Sequence, residues 1–356
     1  MKIAIRVDAS NEIGYGHLMR CLVLADKFKE SGFAPIFIMQ DFGEGVNKAV
    51  SQKGYVTHLF NRNRYNLNET IPVDEWHYDC KVTSDILKTQ SVDILIVDHY
   101  GIDYRWHKII RTFCQTIVVI DDLANRKLDC DFLIDQTYKR LEIEYIPYVP
   151  AHCKILVGSK YALLRSEFED LRRLALIKRN KSHKIKNILV SMGGVDRHNK
   201  TKIVMDVLHD IEWKEKILVN VVVGTQSKNI DINNSNNIRV LLYKNVLNMA
   251  KLMLDADLSI GCAGTTSWER CCLSLPSLVT ASVDNQQVIL KTLEKFGIIK
   301  VWSDKATLKR QIKKIITIHD YQWLFPNDPN ILSYKVKKNN IEDKNIYNFI
   351  SANLYY

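Results

Sequence analysis

Lys2-Ile-Ala-Ile-Arg-Val-Asp8-Ala-Ser-Asn-Glu-Ile-Gly14-Tyr-Gly16-His17-Leu-Met-Arg-Cys21 passes from an apolar run through a glycine-punctuated loop into a helical period. Leu18, Cys21, Leu22, Ala25 and Phe28 share one face of a helix running to Lys29, and Gly32 ends it. A strand, a tight turn and an amphipathic helix in that order open a parallel α/β sheet.

The alternation continues outward from this unit. Pro35–Met39, Tyr55–Leu59, Val92–Val97, Thr116–Ile120, Asp131–Ile134 and Lys154–Val157 read as further strands, with a helix from Tyr104 to Phe113. It then starts afresh with Ile188–Val190, Val219–Val223, Ile238–Leu242, Leu258–Ile260, Ser277–Thr280 and Ile298–Trp302. Helices are expected at Ser267–Leu273 and Gln286–Lys295. The expected fold class is α/β, with two Rossmann-like doubly wound domains facing a cleft. Residues 1–175 form the first domain, 185–320 the second and 321–356 a peripheral tail. The basic stretch Arg172–Lys186 is expected to be a solvated linker between them.

A chain of 356 residues suits two domains, and 46% hydrophobic with 25% charged residues is the composition of a globular protein. The formal charge of +10 is spread along the chain, so it suits an anionic small substrate and does not call for nucleic acid. No signal peptide or membrane span is expected, and the eight scattered cysteines form no C-x-x-C pair. A cytoplasmic monomer with free thiols, needing no cofactor, is the expectation.

The loop before the first helix is the first candidate site. Gly14 and Gly16 allow close backbone approach to a ligand, and His17 falls in the first helical turn. The positive end of a helix disfavours the imidazolium, which suits a general base. The same residues also fit a dinucleotide G-x-G-x-x-G loop with Asp41 on the ribose, or a plain capping loop. Met19 stands where the dinucleotide motif has its third glycine, and it is expected to obstruct helix–strand packing there.

The second half carries two glycine loops. Gly193 and Gly194 follow one strand, and Gly264-Thr265-Thr266-Ser267-Trp-Glu269 follows another and opens a helix. Backbone amides and hydroxyls there suit a pyrophosphate, and Glu269 suits a ribose diol. Thr266-x-x-Glu269 is equally a capping box, and Asn285 is equally a helix N-cap or a group for sugar hydroxyls. Asp129-x-Asp131 and Asp255-x-Asp257 match a metal pattern but lie at expected strand starts, so no metal is expected. There is no obvious pair of glycosidase carboxylates, and a leaving nucleoside diphosphate does not need one.

Taken in order, Arg6-Val-Asp8, Gly14-x-Gly16-His17-x-Met19-Arg20-Cys21, Asp98-His99-Tyr100, Tyr161-Ala-Leu-Leu-Arg165-x-Glu167-Phe168, Ser191-Met-Gly193-Gly194-x-Asp196 and Thr266-Ser-Trp268-Glu269 resemble a known family. It is that of the UDP-2,4-diacetamido-2,4,6-trideoxy-β-L-altropyranose hydrolases of pseudaminic acid biosynthesis. The resemblance spans about residues 1 to 302. It implies a GT-B fold and metal-independent, inverting hydrolysis at the anomeric carbon, releasing UDP and the free sugar. It further implies His17 as the base, Tyr100 and Asn285 beside the sugar, and Thr266, Ser267 and Glu269 around UDP. Gly14 and Gly16 would make close backbone contacts. Three further classes stay open. One is a GT-B glycosyltransferase for surface polysaccharide, which an amphipathic membrane-facing patch on the first domain would favour, although none is evident. The second is a non-catalytic nucleotide-sugar-binding protein. The third is an NAD-dependent oxidoreductase.

Overall fold

Ile3–Val7 (β1) is five consecutive buried residues, the pattern of a strand covered on both faces. In the computed structural model it lies inside a sheet of seven parallel strands. The structure describes residues 1–10, 13–43, 46–61, 73–181, 184–194, 196, 198–224, 234–235, 237–244, 246, 248–283 and 286–318.

The other strands of this sheet are β2 (Ile36–Asp41), β3 (Val56–Asn61), β4 (Ile94–Asp98), β5 (Thr116–Ile120), β6 (Phe132–Asp135) and β7 (Lys154–Val157). Their order is β3-β2-β1-β4-β5-β6-β7, and every pairing is parallel. Parallel neighbours need crossovers, which α1 (Gly16–Glu30), α2 (Val46–Ser51), α3 (Val73–Gln90) and α4 (Tyr104–Ile110) supply. Alternate residues of β1 serve the two faces. Ile3, Ile5 and Val7 pack with Leu18, Leu22 and Phe28 of α1, whereas Ala4 joins Trp76, Trp106 and Ile110. Full burial of a Leu or Phe stabilises by about 1.5–3 kcal/mol, so the one apolar face of α1 suffices to seat it.

The second sheet is also all parallel, in the order β10-β9-β8-β11-β12-β13. Its strands are β8 (Asn187–Ser191), β9 (Ile217–Val223), β10 (Ile238–Lys244), β11 (Leu258–Cys262), β12 (Ser277–Thr280) and β13 (Lys300–Val301). The helices of this unit are α5 (Ser166–Lys181), α6 (Lys200–His209), α7 (Met249–Asp255), α8 (Thr265–Cys272), α9 (Gln287–Lys295) and α10 (Lys305–Ile318). Its core is separate, built from Val190, Leu208, Val221, Ile260, Leu308 and Ile312 among others.

The chain divides between Leu163 and Leu164. The expected linker Arg172–Lys186 is corrected, because most of it lies in α5, within the second unit. Phe168, Ala175 and Arg179 are buried at helical spacing. Three cations of α5, Arg172, Lys178 and Arg179, serve helix ends. Lys178 donates to the Asp255 carbonyl at 2.6 Å and Arg179 to the Ala256 carbonyl at 2.6 Å, at the negative end of α7. Arg172 does the same for the Cys272 carbonyl that ends α8. Charge density alone therefore misread this segment.

Smaller differences are local. The helix expected from Tyr104 to Phe113 closes as a 3-10 turn over Arg111–Phe113, and Ile298–Trp302 contracts to the two residues of β13. Met19 is exposed and points away from the packing it was expected to obstruct. The tail expected at 321–356 lies outside the described residues. Among the described residues no helix is long and apolar enough to cross a membrane.

Candidate active site

In each sheet the strand order reverses once, between β1 and β4 in the first and between β8 and β11 in the second. Loops leaving the carboxyl ends of those strands diverge, which opens a crevice where ligands of such sheets bind. The sequence-predicted groups gather at both places.

In the first unit, the Gly14 amide donates to the Ser10 carbonyl at 2.8 Å with φ +86°, which only glycine adopts freely. Gly16 then opens α1, with Tyr15 before it offering no side-chain cap. His17 is the second residue of the helix and nearly buried. The parallel register sets Val7 beside Asp98, so the last residue of β4 meets the start of α1. His17 Nδ1 lies 2.6 Å from Asp98 Oδ1. An ionised carboxylate only accepts, so Asp98 favours a proton on Nδ1, whereas Arg20 Nη2, which only donates, lies 3.1 Å from the same nitrogen; the shorter Asp98 contact favours the tautomer that leaves the Nε2 lone pair as the base.

Arg20 is one helical turn further along. It donates Nε to Asp98 Oδ2 at 2.6 Å, Nη2 to Asp98 Oδ1 at 2.6 Å and Nη1 to Asp122 Oδ2 at 3.0 Å. Burial works to raise the Asp98 carboxyl, but Arg20 and then His17 overcome it and hold it well below the usual carboxylate range. The Tyr100 hydroxyl donates to Asp122 Oδ1 at 2.6 Å, and its ring meets that of His17 edge-on with centroids 4.6 Å apart. Burial and Asp122 push the Tyr100 phenol well above its ordinary value, so it stays a donor. The Cys21 thiol is likewise pushed up by burial and by Asp98.

His99 locks the loop that carries Tyr100. Its Nε2 lies 3.2 Å from Asp8 Oδ2, and its Nδ1 accepts from the Gly101 amide at 3.0 Å. Asp8 is anchored in turn by Arg6, which also binds Asp79. Both ring nitrogens of His99 are thus occupied, and the ring holds backbone in place.

In the second unit, Gly193 turns at φ +87° after β8. The Gly194 carbonyl oxygen lies 1.9 Å from where a Cβ on Gly224 would stand, so these loops touch backbone to backbone. Gly264 precedes α8 at φ +145° and gives no side-chain cap. Thr265 and Thr266 are partly exposed in the first turn, whereas Ser267 is turned inward and accepts from Arg270 Nη2 at 3.1 Å. The capping box considered for Thr266 and Glu269 does not form. Glu269 Oε1 instead accepts from Arg165 at 2.8 and 3.1 Å, and burial raises the Glu269 carboxyl against the pull of Arg165. Asn285 lies outside the described residues.

The D-x-D pairs lie at the opposite edges of the sheets. Asp129 and Asp131, before β6, are both bound by Arg111, and Asp257, before β11, accepts the Asn187 amide at 2.8 Å. Among the described residues no cluster of three His, Cys, Asp or Glu side chains is arranged for a metal.

Fold and site together define the class: two doubly wound parallel-sheet α/β domains of the GT-B type. The crystal structure of Acinetobacter baumannii MurG matches 92% of this chain and 93% of its own, with TM-score 0.62 at 13% identity. The UDP-GlcNAc 2-epimerase of Neisseria meningitidis matches over 100% of both chains with TM-score 0.57 at 12% identity. In sequence, the chain is 27% identical over 304 residues to the UDP-2,4-diacetamido-2,4,6-trideoxy-β-L-altropyranose hydrolase of Campylobacter jejuni, covering 83% of this chain and 97% of that protein. The resemblance carried by the motifs therefore holds across most of the chain.

Two further relatives are less informative. The spore coat polysaccharide biosynthesis protein SpsG of Bacillus subtilis is 24% identical over 83% of this chain and 82% of its own length. An uncharacterized protein of Methanocaldococcus jannaschii, MJ1062, is 30% identical over 78% of this chain, which spans 55% of that longer protein. No protein-family profile matches the chain.

Sequence reasoning quoted Arg20 and Asp98 within motifs but gave them no role, and it passed over Asp122. The available signals were the spacing from His17 to Arg20 and the carboxylates standing at or just after strand ends, at Asp98 and Asp122.

Proposed function

We propose that the chain is a UDP-sugar hydrolase that cleaves the anomeric C–O bond of a UDP-2,4-diacetamido-2,4,6-trideoxyhexose, the β-L-altropyranose, with inversion. The observation that carries this is the 2.6 Å contact between Asp98 and His17 Nδ1 at the first sheet's switch point, which frees Nε2 to accept a proton. In the proposed step a water oxygen bonds to the anomeric carbon as the bond to the diphosphate breaks. The electron pair leaves with UDP, and the water proton passes to Nε2 of His17. Asp98 and Arg20 position the base. Tyr100 and Asn285 contact the sugar. Gly193, Gly194, Thr265, Thr266, Ser267 and Glu269 serve the nucleotide, with Gly14 and Gly16 approaching the ligand through backbone. The first domain carries the base and the second the UDP site, in a cytoplasmic monomer that uses no cofactor.

Incubation with the UDP-sugar in ¹⁸O-labelled water, followed by NMR and mass spectrometry with and without EDTA, tests the reading. Label in the free sugar, none in UDP, an inverted first-formed anomer and indifference to EDTA are expected. Label in the UDP phosphate, or full turnover by His17→Ala, removes the mechanism. A second reading, transfer to a lipid-linked acceptor, is favoured by Leu141, Ile143 and Ile146, aliphatic side chains of one short segment of the first unit that are 61%, 68% and 62% exposed. Formation of a glycoside in place of the labelled free sugar would establish it.

A further inference from the structure

Arg270 of α8 is a buried cation at the switch point of the second sheet with no carboxylate turned toward it among the described residues. It is 2% exposed, and among those residues it makes no ion pair. Its Nη2 donates to the Cys262 carbonyl at 2.7 Å and to Ser267 Oγ, while Nε and Nη1 have no hydrogen-bond partner. Glu269, the neighbouring carboxylate, acts on Arg270 only through space, because its hydrogen bonds go to Arg165.

The location makes this arrangement costly. The guanidinium reaches back three residues to Ser267, toward the N-terminal turn of α8, where the helix end is already positive. Arg179 offers the contrast. It too is buried, but it sits on carbonyls of Met253 and Ala256 at the negative end of α7, and the charges of Asp257 and Asp255 also favour it. The chain also makes room for Arg270. A Cβ on Gly261 would stand 2.8 Å from Nη1 and 2.5 Å from the Ser191 carbonyl, so glycine at that position admits the guanidinium under the paired ends of β8 and β11. An uncompensated buried charge destabilises a fold, and one placed at a positive helix start is offset by a bound anion.

We propose that Arg270 is a positioning residue for a diphosphate. Fixed beneath the β11–α8 loop, it supplies positive charge from within the protein to a pyrophosphoryl group held at the first-turn amides of Thr265 and Thr266. The inference rests on the nucleotide reading of the second unit and deepens it. It also requires that Arg270 lower the stability of the ligand-free protein, which a merely structural arginine does not do.

The test is calorimetric titration of the full chain with UDP, uridine and inorganic pyrophosphate, together with ligand-free melting temperatures, for wild type, Arg270→Gln and Arg270→Lys. The glutamine amide can still donate to the Cys262 carbonyl, and lysine keeps the charge. Expected for Arg270→Gln is about 10- to 100-fold weaker binding of UDP and pyrophosphate, unchanged uridine binding, and an unchanged or higher melting temperature. Arg270→Lys should retain most of the affinity. Wild-type affinity for UDP in Arg270→Gln, or a joint fall of melting temperature and uridine binding, overturns the proposal. A wild type that binds pyrophosphate but not UDP refutes the nucleotide reading and leaves the role of Arg270 standing; one that binds neither refutes both.

Discussion

His17 and Asp98 are 81 positions apart in the chain and 2.6 Å apart in space. Replacing the carboxylate with an amide keeps the shape but removes the charge that fixes the ring proton on Nδ1. Asp98→Asn is expected to lower kcat by about 10²- to 10⁴-fold, the worth of a positioned base, with KM nearly constant. Steady-state kinetics of the purified variant decide it, and a KM effect alone would count against the assignment.

In the proposed site the one phenolic proton of Tyr100 is given to Asp122, while its ring meets the base edge-on. Tyr100→Phe keeps the ring against His17 but leaves Asp122 with Arg20 as its remaining described partner. Loss of one charge-assisted hydrogen bond corresponds to roughly a tenfold or larger fall in kcat/KM. The same variant should fold with a near-normal circular dichroism spectrum; kcat/KM equal to wild type would detach Tyr100 from the site.

His107 provides a pH signature of the first unit. It is fully buried, and burial, assisted by Arg126, pushes its imidazole down to about 3. An unfolded chain protonates histidine near pH 6.5, so between about 6.5 and 3 the unfolded state binds the extra proton. Stability contributed by the neutral ring is complete above that window and falls as pH is lowered through it, by up to about 1.4 kcal/mol per pH unit. His107 Nδ1 accepts the Asp129 amide at 3.4 Å, a role glutamine can take over. Urea denaturation of His107→Gln between about pH 7 and 5 should therefore show a shallower loss than wild type; identical slopes would place the titration elsewhere.

Gly261 has no room for a side chain. Gly261→Ala would force its methyl against the Ser191 carbonyl, and overpacking of this kind costs about 1–3 kcal/mol. A drop in melting temperature with weakened UDP binding is expected, and a fully stable variant would show that the two strand ends yield easily.

How far the sequence foretold the molecule depends on the range of the interaction involved. β1, β4 and β11 were legible because each is a short, mainly apolar run of the kind a strand buried on both faces needs, and α1 because its apolar face repeats at helical spacing. His17 stood out beside two glycines. Its partners did not, because a lone aspartate such as Asp98 acquires meaning only when the register brings it beside Val7. α5 was hidden for a related reason. Arg172, Lys178 and Arg179 look like solvent-seeking charges until the helix ends they serve are known. Glu269 was read as a cap or a ribose ligand, and neither idea included Arg165.

The separate cores on either side of Leu163–Leu164 bear on how the protein comes apart when heated. Each sheet carries a core cluster of its own, so one all-or-none transition is not imposed by the architecture. A nucleotide that docks on the second unit should delay the melting of that unit by mass action while the other unfolds at its accustomed temperature. Scanning calorimetry with UDP would then resolve one endotherm into two, and the lower of them would report the half that holds the histidine.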